Sequence, residues 1–138
     1  MRWMEVMGRC LGFLWALPNS LLGCLFLLPT WFGGGGARWC QGALEVHGGF
    51  ARWFLKRMCG AEAMTLGHVI LGRSIHSLEM CRRHEHVHIR QYCRWGPLFL
   101  PAYALCSLWA WWQGRHPYYD NWFEKQAYAL DRHPYYPS

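Results

Sequence analysis

Two histidines four residues apart, with a glutamate directly after the first, constrain this chain more than any other stretch: His84-Glu85-His86-Val87-His88. On a helix, H-E-x-x-H puts both imidazoles one turn apart on one face, where they can reach one metal ion. The pattern reads as a zinc site. Glu85 sits about 100° round the helix and is not needed as a ligand, which places it to take a proton from a water that the metal activates. Hydrolysis is the chemistry this predicts.

The surroundings support a helix. Ser74 and Ser77 offer N-caps, the stretch from about Leu78 to Trp95 holds neither Gly nor Pro, and Gly96-Pro97 stops it. Followed at helical spacing, the motif's face runs Ser77, Met80, Cys81, His84, His88, Gln91, Tyr92 and Trp95, apolar enough to be buried against a domain. The alternative is a basic, solvated helix, because Arg82, Arg83, Arg90 and Arg94 surround the histidines.

At 138 residues the chain has the length of one domain, and at 53% apolar, with 10 Trp, it has ample material for a core. Its net charge of +6 is spread without a long run. Nucleic-acid binding would need a denser basic face with stacking aromatics, and no such motif is present. Trp and Arg together suit a lipid headgroup boundary, so membrane lipids are the expected partner. The cysteine count is 7, odd and without a C-x-x-C pair. Reduced thiols follow, and with them a catalytic segment facing the cytoplasm.

From Leu11 to Phe32 no charge occurs across 22 positions, enough to cross a bilayer. Pro18-Asn19-Ser20 in its middle predicts either a kinked spanning helix or two apolar arms folded as a re-entrant or interfacial hairpin. A cleaved signal peptide fits less well, since no small-x-small site follows. Gly33 to Gly36 read as a flexible joint, dividing a hydrophobic membrane-seeking segment, 1–36, from a metal-binding domain, 37–138.

Between Ala37 and Leu55 short β-like pieces broken by Gly42 and Gly48-Gly49 predict a hairpin, and Met64 to Leu71 predicts a clearer strand. Such a strand would lie beside the metal cleft, where an extended peptide could pair with its free edge. His68 within it reads as a core histidine. After the motif, Pro97 and Gly114 bound a second apolar helix, short for a full span, which is either a core helix or an interfacial one. Two Pro-Tyr turns, 115–120 and 132–136, flank a last helix from Asn121 to Asp131. On it, Glu124 either closes a capping box with Asn121 or supplies a third metal ligand, leaving a fourth position for water.

Taken together, His84-Glu85-x-x-His88 and Glu124-Lys125-Gln126-Ala127 resemble the gluzincin metallopeptidases, in which H-E-x-x-H is completed by the Glu of E-x-x-A on a later helix. The hydrophobic N-terminus is similar to the integral-membrane branch, the Ste24-like and heat-shock membrane proteases. More closely, Met64 to Leu71, HEHVHIRQYCRWGPLFLPAY and YDNWFEKQAY look like a family of small, uncharacterised bacterial proteins carrying H-E-H-V-H, over roughly Leu44 to Tyr128. The resemblance implies Zn2+ bound by His84, His88 and Glu124, with Glu85 as general base and a peptide or protein as substrate. An Asp is common where Tyr128 follows E-x-x-A, so it leaves the partner that orients the ligand histidines unassigned. Tyr128, Tyr103 and His116 are the candidates for stabilising an oxyanion. The expected fold is α+β: a small zincin-like domain with a short ribbon or sheet, the motif helix and two further helices. The competing expectation is a small Trp-rich membrane subunit of a larger complex, with a structural metal.

Overall fold

Left-handed backbone at two adjacent positions, Gln41 at φ 51° and Gly42 at φ 82°, turns the chain back on itself in the hairpin geometry whose twist matches paired strands. In the computed structural model, which describes residues 2–131, this turn joins β1 (Gly36–Cys40) to β2 (Ala43–His47). The strand expected over Met64 to Leu71 is instead a second hairpin. There β3 (Ala63–Leu66) and β4 (Val69–Gly72) meet at Gly67-His68, with Gly67 at φ 62°. A lone glycine in an apolar run reads equally well as a bulge, which hides the turn.

The strand order is β1-β2-β4-β3, with both hairpins antiparallel and β2 parallel to β4. A parallel pair needs a crossover. It is made through α3 (Gly49–Phe54), prolonged by a π-helical turn, Leu55–Cys59, and through edge strand β3. The structure thus corrects the all-β expectation for Ala37 to Leu55: beyond Gly48 the chain is helical. Val46, Val69 and Leu71 pack with Ala51 and Leu55 of this crossover, while Ala43 and Ile70 pack with Leu78 and Ile89 of α4 (Ile75–Trp95). β4 is buried along its whole length, as a strand covered on both faces must be. Glu45 of β2 is fully buried too, satisfied by Arg82 of α4 at 2.7 and 3.1 Å and by Arg38 at 3.4 Å.

Helix α4 starts where its cap dictates. The Ser74 hydroxyl accepts from the Ser77 amide at 3.1 Å, and Gly96 at φ 55° follows its last residue. Its buried face is wider than the expected stripe, taking in Leu78, Glu85, Val87 and Ile89, because the sheet covers one side and other helices cover another. Met80 and Trp95, expected inside, are 71% and 40% exposed.

The N-terminal segment runs as one helix, α1 (Arg2–Cys24), straight through Pro18. No turn forms at Pro18-Asn19-Ser20. Asn19 Nδ2 donates to the Gly96 carbonyl at 2.9 Å and Ser20 Oγ accepts from the His68 amide at 2.9 Å, so both polar side chains serve tertiary contacts. The break falls later, at Leu25-Phe26, before α2 (Leu27–Phe32). Within the glycines expected to be a flexible joint, Gly35 is closely packed: a Cβ there would collide with the His47 carbonyl and the Thr30 side chain.

After a 3-10 turn, Gly96–Leu98, come α5 (Phe99–Trp112) and α6 (Trp122–Asp131). Asn121 caps α6, its Oδ1 accepting from the Phe123 amide at 2.9 Å. Its Nδ2 donates to the Tyr103 carbonyl and Ser107 Oγ, tying α6 to α5. A third apolar cluster, Ala16, Tyr92, Phe99 and Phe123, joins α1, α4, α5 and α6. The expected turn at 132–136 lies outside the described residues.

Candidate metal centre

Helical spacing on α4 stacks His84 above His88, and the antiparallel return of α6 brings Glu124 against both. His84 Nε2 lies 3.0 Å from Glu124 Oε2, His88 Nε2 lies 3.3 Å from Glu124 Oε1, and the two Nε2 atoms are 3.2 Å apart. A tetrahedral site with ligand bonds of 2.0–2.1 Å has edges of about 3.3–3.4 Å, so the two nitrogens and the carboxylate oxygens that face them are already spaced as ligands of one ion. All three residues are buried, and among the described residues no fourth His, Cys, Asp or Glu joins the group. The group can hold a metal ion.

Two imidazole nitrogens this close to one another and to a carboxylate need positive charge among them. Burial disfavours charged His88, yet the bond to Glu124 and the nearby Glu85 charge outweigh it and hold the pKa at about 9. Burial likewise disfavours ionised Glu124, but hydrogen bonds from His84, His88 and Tyr103 bring its pKa down to about 2. A proton or a metal cation answers that demand equally.

The capping-box alternative for Glu124 is not what forms. The Asn121 amide donates to the Tyr118 carbonyl at 3.1 Å, and Glu124 Oε1 accepts from Tyr103 Oη at 2.8 Å. Tyr103 therefore orients the carboxylate. Gln91 does the same for His88: its Nε2 donates to the Phe123 carbonyl and to Gln126 Oε1, which leaves Oε1 to accept from His88 Nδ1 at 2.8 Å. That bond puts the hydrogen on Nδ1 and turns Nε2 toward the cluster. Asp131 Oδ2 stands 3.4 Å from His84 Nδ1, within ion-pair range though long for a hydrogen bond, two turns beyond Glu124. These orienting groups are the ones the sequence reading leaves unassigned. Expected outcome: Gln91→Ala and Asp131→Asn each weaken metal affinity by about 10–100-fold without unfolding the chain, measured by chelator competition alongside circular dichroism.

Glu85 is buried beside the cluster and outside the ligand set. Thr65 Oγ1 of β3 donates to its Oε2 at 2.6 Å, a role no motif announces. Glu85 and Tyr118 border both cavities that flank the cluster, one of about 230 Å³ reaching His88 and Glu124 and one of about 580 Å³ reaching His84 and Asp131. Of the three oxyanion candidates, Tyr103 is committed to Glu124, Tyr128 packs tilted against the His84 ring with centroids 4.3 Å apart, and His116 Nδ1 accepts from the Tyr118 and Tyr119 amides. Tyr118, missed in the sequence because it sits in a Pro-Tyr turn, faces both cavities with its hydroxyl 3.3 Å from that of Tyr128. Cys59 lines both cavities as well, and all seven cysteines are free thiols.

No family model, no curated protein and no solved structure matches this chain.

Proposed function

We propose that this chain is a membrane-associated, zinc-dependent hydrolase with a minimal zincin-like domain of the gluzincin type, cleaving peptide bonds. The observation that carries the reading is the convergence of His84, His88 and Glu124 into one buried group, with a further buried carboxylate, Glu85, beside it on the cleft. Zinc held by those three residues supplies Lewis acidity, polarising a carbonyl and making water acidic near neutral pH.

The chain's own residues account for the rest. Glu85 takes the proton of the attacking water at its carboxylate and returns it to the leaving amine, while Thr65 holds that carboxylate in one orientation. β3 is the sheet's edge and lines the cleft. Its two-residue turn makes Leu66 and Val69 the bonded pair, so Ala63 and Thr65 direct their backbone groups outward. Tyr92 Oη takes the Thr65 carbonyl at 2.8 Å, leaving Ala63 for an extended peptide. Tyr118, which borders the cleft, would donate to the oxygen that gains charge.

One observation favours the competing reading, a Trp-rich membrane subunit with a structural metal: the long apolar α1, 31 residues with α2, is long and apolar enough to cross a membrane yet is only 22% buried over its most apolar window. Purified full-length protein discriminates the two. Cleavage of a broad peptide library that is lost on chelation and restored by zinc supports the hydrolase. No cleavage, together with a stable stoichiometric partner on purification, overturns it.

A further inference from the structure

Helix α1 is built inside out for water. The centre of the stripe it lays on the domain is small or polar, Gly12, Ala16, Asn19, Ser20 and Gly23, with Phe13 and Trp15 at its margins, while its outward side carries Leu11, Leu14, Leu21 and Leu22. Small residues and buried hydrogen-bonding groups at a helix contact, with large apolar side chains facing away, are how helices pack in lipid. α5 shows the same surplus. It is apolar all round, yet Leu105, Leu108, Trp109 and Trp112 are each more than half exposed, and its buried residues are Phe99 and Ala110. An apolar helix with no polar face is a buried or lipid-facing helix.

The two helices meet where α5 begins. Asn19 of α1 bonds Gly96 just before α5, Trp15 lies against Gly96, and Ala16 packs with Phe99. Charge brackets both: Arg9 precedes the uncharged run 10–37, at whose far end Arg38 is engaged by Glu45, and Arg94 and Arg115 enclose 95–114. Arginines and tryptophans at the ends of uncharged runs, on a chain of net charge +6, suit anionic headgroups at a bilayer boundary. At 14 residues, about 21 Å, α5 is too short to cross a core of about 30 Å.

We propose that α5 joins α1 in a single lipid-facing surface, so that the domain lies partly sunk in one leaflet rather than hanging from a lone N-terminal anchor. Phe99, Leu100 and Tyr103 of α5 also wall the metal cleft, so the cleft sits beside the acyl chains. The surface stands independently of the hydrolase reading.

The test uses full-length protein in 3:1 phosphatidylcholine–phosphatidylglycerol vesicles containing a phosphatidylcholine with a diazirine near the acyl terminus, with photo-adducts mapped by mass spectrometry. Adducts are expected in 11–32 and in 98–112, with none around exposed Trp39 of β1. The double variant Leu105→Glu, Leu108→Glu changes only exposed positions. It should lose α5 adducts by about tenfold or more, the cost of a carboxylate among acyl chains, while keeping those of α1. Adducts confined to α1, α5 cross-linked to a second copy instead of lipid, or α5 labelling unchanged in the double variant would each overturn the proposal. His84→Ala should label as wild type does, which separates this result from the fate of the metal reading.

Discussion

Glu85→Gln retains about one zinc per chain and the wild-type fold, while turnover falls by about 10²–10⁴-fold, the usual worth of a positioned general base. That outcome follows from where Glu85 stands. It is buried next to His88 but outside the three-atom group that can hold the metal, so its charge is not required for binding. The amide oxygen of Gln still accepts from Thr65 Oγ1, so the side chain keeps its orientation and loses only its basicity. A metal with a purely structural role predicts no change in any activity. The measurement is zinc content and circular dichroism on the variant, followed by cleavage rates under conditions where wild type turns over. Zinc-dependent cleavage that survives unchanged in Glu85→Gln would sink the proposed mechanism.

Helix α4 and the approach of Glu124 to its two histidines were legible because their signals are local. Ser74 caps, Gly96 stops, i,i+4 spacing stacks the imidazoles, and E-x-x-A marks the returning helix. Where the sequence misleads, a tertiary contact has overridden a local rule. Pro18 ought to break α1, but one lost backbone bond is tolerated in a helix whose Asn19 and Ser20 find partners across the interface. Gly48-Gly49 ought to separate two β-like pieces, yet beyond it Ala51 and Leu55 bury completely on the sheet and favour a helix. The orienting residues were invisible for another reason. Gln91, Asp131 and Thr65 carry no motif of their own, and each acquires its role only when α4, α6 and β3 come together.

The same convergence sets how the site responds to pH. Without metal, Glu124 has a pKa lowered to about 2, so its contribution to stability is present above the ordinary carboxylate range and is lost as pH falls toward 2. His88, raised to about 9, contributes fully below the ordinary imidazole range, and that contribution is lost as pH rises through 9. The pair therefore supports the metal-free fold best between about pH 4.5 and 6.5. Zinc binding runs the other way, because the ion must displace the proton that His88 holds. Zinc affinity is expected to rise about tenfold per pH unit from pH 7 toward 9, with about one proton released per ion, read by chelator competition and by calorimetry in two buffers. Glu124→Gln removes both a ligand and the charge that holds the proton. Affinity should fall by several orders of magnitude, and the slope above pH 7 should flatten as the His88 pKa returns toward its usual value. Glu62→Gln, at an exposed carboxylate outside the ligand group, should change neither. If Glu124→Gln binds zinc as tightly as wild type, with the same slope, the third ligand is another residue and His84, His88 and Glu124 are a hydrogen-bonded triad.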